Sequence, residues 1–238
     1  MWMPRLARVV VPGLPHHVTQ RGNRRAPIFF EDGDQEIYRG LLSEQARRRG
    51  VEVWAYCLMP NHVHLILAPR DELGLGLAVG EAHRRYTNFV NARMRWTGHL
   101  FQNRFASVVM DERHLLAAAR YVPMNPVRAR MVPRPQDWRW SSARAHLAGR
   151  DDGLVTVGPL LERISDFAAF LSDAEEHPAE RAALRAAEST GRPLGDAAFI
   201  SGLERRLGRR LVHDRPGPKP RSRDTIPIPA GVAEGKGG

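Results

Sequence analysis

Hydrophobic and polar positions in the first 70 residues switch between a two-residue period and a helical period. Alternation over residues 16–21 predicts a strand that ends at a Gly-Asn turn. Apolar residues recur at helical spacing over residues 34–49, and a glycine ends this predicted helix. Residues 51–58 are rich in β-forming side chains, and a Pro-Asn turn separates them from a further predicted strand at 62–68. The last two strands therefore form an antiparallel hairpin.

The same periods continue through the next 60 residues. Residues 77–95 predict a helix with one apolar stripe, residues 105–110 a strand, and residues 113–121 a second helix that Pro123 and Pro126 interrupt or kink. The predicted order is β-α-β-β-α-β followed by a helix. This order is typical of an α+β, ferredoxin-like split βαβ fold with an antiparallel sheet, here followed by a C-terminal helical extension.

Composition narrows the classes of protein that this chain represents. Its 238 residues are 42% hydrophobic, which is sufficient for a large core, yet they contain no apolar run long enough to cross a bilayer. The N-terminus lacks the features of a secretory signal. The single cysteine, Cys57, excludes a disulfide or a cysteine-based zinc site within one chain. We therefore expect a cytoplasmic, nucleoid-associated protein without a membrane partner.

Charge is distributed unevenly along the chain, whose net charge is +10. Basic residues exceed acidic ones over residues 1–150 and again over 205–238, whereas acidic residues dominate 151–204. All basic residues except Lys219 and Lys236 are arginines. A coding bias explains this preference as well as function does, but arginine is also the better ligand for phosphate. The distribution indicates nucleic acid as a candidate partner.

Three segments follow from these patterns. Residues 3–150 form the predicted ferredoxin-like domain. Residues 151–213 form a helical extension, which includes a basic amphipathic helix starting near Asp196 and is a candidate DNA-binding element. Residues 214–238 are a basic, Pro/Gly-rich tail that we expect to be disordered.

The stretch "MPNHVHLIL" carries the first candidate chemistry. On a strand, His62 and His64 lie on one face with Ile66, while Val63 and the leucines lie on the other. Two adjacent imidazoles suit one metal ion. Two strand histidines that hydrogen bond to neighbouring groups are the alternative.

A second candidate lies about 60 residues later, in "ARYVPMNPVRARM". Tyr121 and Asn125 are four residues apart and share a face if the helix persists. The asparagine oxygen is a candidate third ligand, which leaves open positions on Mg²⁺ or Mn²⁺ for phosphate oxygens. The alternative for Tyr121 is a half-buried core aromatic.

Five ordered motifs together resemble one known family: "HHVTQRGNRR", "MPNHVHLIL", "FQNRFASVV", "YVPMNPVRARMV" and "DWRWSSARAHLAG". The chain is similar over residues 3–150 to the single-tyrosine HUH transposases of the IS200-like type, and most similar to the REP-associated tyrosine transposases. The resemblance implies a ferredoxin-like nuclease domain in which His62 and His64 are paired metal ligands and Tyr121 is the nucleophile. It also implies that Asn125 is the polar ligand that follows the tyrosine by one turn.

The activity that this resemblance implies is metal-dependent cleavage and rejoining of single-stranded DNA at hairpin-associated, REP-like sites, through a 5′-phosphotyrosine intermediate. A covalent intermediate conserves the energy of the phosphodiester bond, so the strand is rejoined without ATP. Two alternatives remain open: a catalytically idle DNA-binding protein, and an RNA-binding module on the same scaffold. A monomer and a homodimer are both compatible with the sequence.

Other polar and aromatic residues are candidates for supporting roles. Five arginines are candidate DNA contacts, with exposed surface charge as the alternative: Arg21, Arg24, Arg25, Arg104 and Arg128. Trp138 and Trp140 either cap the core or stack on unpaired bases. The remaining tyrosines are expected to be structural: Tyr38, Tyr56 and Tyr86.

Overall fold

The structure is a computed structural model that describes residues 8–172 and 178–211. Four strands form one antiparallel sheet in the order β2-β3-β1-β4: β1 (His16–Arg21), β2 (Val51–Met59), β3 (His62–Pro69) and β4 (Ala106–Val109). This arrangement confirms the predicted α+β, ferredoxin-like fold with an antiparallel sheet. The predicted disordered tail, residues 214–238, lies outside the described residues.

Two long helices, α1 (Asp34–Arg48) and α2 (Gly74–Met94), pack together on one face of the sheet. Helix α2 begins three residues before the predicted position. The reason is a local cap: the Asp71 carboxylate accepts hydrogen bonds from the backbone N–H groups of Leu73 and Gly74 at 2.9 and 2.8 Å. The apolar side chains of Val63 and Leu65 face these helices, as the alternation predicted.

The opposite face carries α3 (Glu112–Tyr121). Asp111 caps its first turn by accepting from the His114 N–H at 2.9 Å. The helix ends at Tyr121, and a turn leads into the short α4 (Asn125–Arg128). The predicted interruption near Pro123 and Pro126 is thus present.

The last part of the chain packs against the core and the edge of the sheet. The remaining helices are α5 (Ala143–Leu147), at the end of the first segment, and, in the extension, α6 (Gly158–Leu161), α7 (Phe167–Ser172), α8 (Pro178–Thr190) and α9 (Ala197–Leu207). Leu154 and Val155 belong to the core of the first face, so the apolar packing runs across the predicted boundary at residue 150. Beyond α8, the Leu194 backbone pairs with Val109 and Asp111 at 2.9 Å each, which docks the extension on the edge of the sheet. Within the described ranges, none of the helices combines the length and the apolar character that a membrane span needs.

The two tryptophans act as core caps, which is one of the two roles considered for them. The Trp138 indole N–H donates to the Leu58 carbonyl at 3.1 Å. The Trp140 carbonyl accepts from the Leu58 N–H at 2.8 Å, and both rings pack on buried clusters.

Candidate active site

Two histidines of β3 lie side by side on the face opposite α1 and α2. The rings of His62 and His64 have centroids 5.0 Å apart and are nearly perpendicular. In the sheet, His62 lies opposite Arg21 and His64 opposite Thr19. His64 is almost fully buried, whereas His62 is partly exposed. The predicted alternation of faces along β3 is therefore correct.

A third histidine, which the sequence analysis did not identify, joins this pair. His17 on β1 has its Nε2 3.1 Å from the Nδ1 of His64, and the two rings are parallel. Its other ring nitrogen, Nδ1, is buried and has no hydrogen-bond partner among the described residues. The available signal was the alternation of β1, which places His17 on the same face as Thr19 and Arg21.

Tyr121 reaches the histidines from the end of α3. Its ring meets the ring of His64 edge to face at 5.3 Å and that of His17 at 6.0 Å. The side chain is 6% exposed, and the cavity that it lines is shared with Arg128 and Phe170 rather than with the histidines. Two predicted site residues that are distant in sequence, His64 and Tyr121, are therefore direct neighbours.

Asn125 is tied to the same helix end. Its Nδ2 donates to the Tyr121 carbonyl at 3.1 Å and, more weakly, to the Val122 carbonyl at 3.4 Å. The first of these bonds satisfies a carbonyl that the end of α3 leaves without a helical partner. The spacing of four residues thus survives the break in the helix, and Asn125 fixes the backbone that carries the tyrosine.

Two arginines flank the Tyr121 ring. The Arg128 guanidinium lies 4.7 Å from the ring centroid and also donates to the Tyr121 carbonyl. Arg185 on α8 lies 6.0 Å from the same centroid. The Tyr121 side chain raises the pKa of Arg185, first through a hydrogen bond and then through charge. Positive charge therefore surrounds the phenol ring on two sides.

An open cleft of about 320 Å³ leads from the surface to the histidines. Its charged lining consists of Arg21, Arg104 and Arg185 together with one carboxylate, Glu188 on α8. Burial raises the pKa of Glu188 to about 7, although Arg21 and Arg185 act in the opposite direction. One donor atom each from His17, His64 and Glu188 lies within 4.8 Å of the others. His62 is not part of that group.

The buried histidines have the charge state that metal binding requires. Burial lowers the pKa of His17 to about 4, and burial together with the nearby Arg21 lowers the pKa of His62 to about 4. Burial first, and then the neighbouring cations, hold the pKa of His64 well below its usual 6.5. The imidazoles are therefore neutral at pH 7, the state in which a ring nitrogen binds a metal. A neutral nitrogen set with an adjacent carboxylate fits a divalent ion.

The five arginines that were predicted to contact DNA lie in three different parts of the structure. Arg21 and Arg104 line the cleft, and Arg128 packs on Tyr121. Arg24 and Arg25 are exposed in the turn after β1, with φ angles of 54° and 63°. That turn adjoins the β2–β3 turn, so these two arginines lie at the histidine end of the sheet but outside the cleft.

The other tyrosines are structural, as predicted. Tyr38 and Tyr86 are fully buried under α1 and α2, and their hydroxyls bond to His83 Nε2 at 2.9 Å and to the Ile28 carbonyl at 2.7 Å. Tyr56 is equally buried and donates to Asp152. None of these three hydroxyls faces the cleft.

Comparisons with known proteins agree with this geometry. The sequence model of the family described as "Transposase IS200 like" matches residues 10–125. No curated protein matches the chain. A solved structure of a REP-associated tyrosine transposase bound to a REP hairpin is similar in fold, with a TM-score of 0.54 and 20% identity over 65% of this chain and 92% of the other. A protein of Deinococcus radiodurans R1 assigned as a transposase gives a TM-score of 0.36 and 20% identity, over 50% of this chain and 95% of the other.

The matched segment contains the whole sheet, both histidines of β3 and Tyr121. The similar structure shares the antiparallel sheet and its helices. Residues 10–125, just under half of the chain, therefore match the IS200-like transposase family.

Proposed function

We propose that this transposase cleaves and rejoins single-stranded DNA in a metal-dependent reaction, with Tyr121 as the nucleophile. The observation that carries the proposal is the edge-to-face contact of the Tyr121 ring with His64, a histidine that lines a cleft together with three arginines. A tyrosine with only a packing role does not need a neutral metal-binding histidine and two arginines around its ring.

The covalent step balances as an exchange of one ester for another. The Tyr121 hydroxyl oxygen bonds to the scissile phosphorus and gives up its proton, while the bond from phosphorus to the 3′ oxygen breaks. The leaving 3′ oxygen gains a proton, so the products are a free 3′-OH and a 5′-phosphotyrosine. Attack by a 3′-OH reverses the step and restores a phosphodiester.

Some side chains supply charge to the proposed reaction, and others position the nucleophile. Arg128 and Arg185 stabilise negative charge on the phenolic oxygen, and Arg21 and Arg104 attract the DNA backbone into the cleft. Asn125 holds the helix end that carries the nucleophile. His62, His64 and Asn125 would hold a Mg²⁺ or Mn²⁺ ion, which supplies Lewis acidity at the scissile phosphate when bound.

The proposed substrate is a DNA hairpin with adjoining single strand. The similar REP-associated transposase is bound to a REP hairpin. In this chain, basic side chains continue from the cleft along the edge of the sheet, where the Arg8 guanidinium stacks 3.6 Å from the Phe105 ring centroid beside Arg104. The two arginines at this edge suit the phosphate backbone of DNA.

The test uses the full chain, labelled hairpin oligonucleotides with single-stranded flanks, and Mn²⁺. After denaturation, the wild type should retain label as a covalent adduct, while Tyr121→Phe should lose the adduct and keep hairpin affinity within about two-fold, because one hydroxyl is lost. Tyr38→Phe is the matched control, since this hydroxyl lies on the other face of the sheet, and it should form the adduct. Binding without an adduct from any hairpin would identify a DNA-binding protein that does not cleave.

A further inference from the structure

Helix α8 places a carboxylate next to the histidines from outside the segment that defines the family. Residues 10–125 match the family, whereas Glu188 lies in the extension. Its Oε1 is buried and has no hydrogen-bond partner among the described residues. A buried carboxylate oxygen without a partner is costly, so its position needs a physical reason.

The distances around Glu188 match those of a single ion. One donor atom from each of Glu188, His64 and His17 lies within 4.8 Å of the other two. Ligand atoms at about 2.1 Å from one ion are separated by roughly 3 to 4.2 Å, so a small adjustment brings this group to bonding distance. The 3.1 Å between the facing nitrogens of His17 and His64 is already in that range.

The charge of the cleft supports the same conclusion. Its charged lining is three arginines and Glu188, the one carboxylate among the described lining residues. Neutral imidazoles alone do not offset the repulsion between a divalent cation and three guanidinium groups. A carboxylate in contact with the ion supplies the negative charge that this site otherwise lacks.

Helix α8 is held firmly enough to position a ligand. Leu184 and Ala187 are buried on its inner side, and Glu180 pairs with Arg113 near its start. Arg185 and Glu188 are three residues apart and therefore lie on one side of the helix, so Arg185 reaches Tyr121 while Glu188 reaches the histidines.

We propose that Glu188 is a ligand of the divalent ion together with His64, so that the extension completes the metal site of the transposase domain. This inference rests on the metal dependence proposed above and adds a ligand to it. It gives the extension a function in the active site, in addition to any role in DNA binding.

The experiment measures metal binding directly, on the full chain without DNA. Mn²⁺ is titrated into the wild type, Glu188→Gln and Glu162→Gln, and free Mn²⁺ is quantified by electron paramagnetic resonance. Glu188→Gln, which removes charge at nearly constant shape, should weaken Mn²⁺ binding about ten-fold or more. Glu162→Gln, an exposed acid of the same extension, should bind as the wild type does.

A second variant is expected to gain affinity for a metal, so its result cannot be explained by misfolding. Glu188→Cys replaces a hard oxygen by a soft sulfur, so it should bind Cd²⁺ more tightly than the wild type and show a thiolate-to-cadmium absorption band. The natural Cys57 is fully buried and gives no such background. Circular dichroism and thermal unfolding in a chelator verify that each variant is folded.

Equal Mn²⁺ affinity of Glu188→Gln and wild type, or no cadmium–thiolate band in Glu188→Cys, would overturn the assignment of Glu188. The proposed nucleophile is tested separately by the adduct assay. If the wild type forms the Tyr121 adduct while Glu188→Gln binds Mn²⁺ normally, the cleavage function stands and the role of Glu188 fails. If Glu188→Gln loses Mn²⁺ binding but the wild type forms no adduct, the role of Glu188 stands and the cleavage function fails.

Discussion

The two faces of the sheet differ in the polar side chains that they bury. Under α1 and α2, the hydroxyls of Tyr38 and Tyr86 each have a hydrogen-bond partner, and Leu65 packs among apolar side chains. Under α3 and α8, His17 and Glu188 each bury a polar atom that has no partner in the described part of the chain. The first face is built for stability.

On this second face the polar groups also cluster, since one donor atom each of His17, His64 and Glu188 lies within 4.8 Å of the others, which indicates that this face is built to bind something. The same strand, β3, serves both purposes because its side chains alternate between the faces. If this division is correct, equivalent substitutions on the two faces should have different consequences.

The largest expected difference is between two buried histidines. His64→Ala should reduce Mn²⁺ binding and DNA cleavage by about a hundred-fold or more, because it removes a metal-binding nitrogen next to Tyr121. His83→Ala, on the other face, should lower the melting temperature but leave cleavage per folded molecule close to that of the wild type. Single-turnover cleavage at a temperature where both variants are folded measures the contrast. Equal losses of cleavage in the two variants would contradict the division between faces.

The next effect concerns stability on the apolar face. Leu65 is fully buried, so Leu65→Ala should lower the free energy of unfolding by about 3 kcal/mol through lost burial and a cavity. Leu77 is 43% exposed on α2, and Leu77→Ala should cost less than about 1 kcal/mol. Urea denaturation measures both. A cost for Leu65→Ala no greater than that for Leu77→Ala would mean that the packing of this core is not as described.

A smaller effect follows from protonation of buried histidines away from the cleft. Burial lowers the pKa of His16 to about 4 and that of His83 to about 3. Because the unfolded chain binds these protons more readily, their contribution to stability is complete above about pH 6.5 and is lost as the pH falls toward 4. Each contributes a slope of about 1.4 kcal/mol per pH unit within that interval.

Urea denaturation of metal-free protein between pH 7.5 and pH 5 measures this slope. The variant His83→Gln should show a shallower loss of stability than the wild type below pH 6.5, because one of the buried titrating groups is absent. Identical slopes in the two proteins would show that His83 titrates normally in the folded state.

The smallest predicted effect is at the exposed turn after β1. Replacement of both Arg24 and Arg25 by alanine should weaken hairpin binding by a few-fold and lower the salt dependence of that binding, since each exposed cation contributes only phosphate contacts. Fluorescence anisotropy at several salt concentrations measures both quantities. Loss of discrimination between hairpin sequences, rather than a uniform decrease in affinity, would instead indicate that these arginines read bases.

Local sequence patterns were sufficient to predict the sheet and some of the residues that the structure brings together next to the cleft. The alternation of β3 predicted which face carries His62 and His64, and the motif at the end of α3 made Tyr121, which the structure places beside His64, a candidate. The start of α2 was misplaced because Asp71 caps the helix before its apolar stripe begins. This cap depends on one side chain and leaves no periodic signal.

The other residues beside His64, which are Glu188 and His17, come close to it only through tertiary packing. Glu188 lies in an alanine-rich segment that resembles a solvated appendage in sequence. It reaches the histidines because α8 packs on α3 and β4 and the chain after α8 pairs with Val109 and Asp111. His17 was visible in an alternating strand, but its neighbour His64 is identified only once the register of β1 and β3 is known.

The most direct test of the central claim is to locate the DNA attachment within the chain. The wild type is incubated with Mn²⁺ and a cleavable hairpin, the DNA is trimmed with nuclease, and tryptic peptides are analysed by mass spectrometry. Residues 121–128 form a tryptic peptide whose single tyrosine is Tyr121. We predict that this peptide carries a 5′-linked nucleotide. A nucleotide on a peptide that contains Tyr38, Tyr56 or Tyr86, or cleavage of the hairpin without any peptide adduct, would contradict the account.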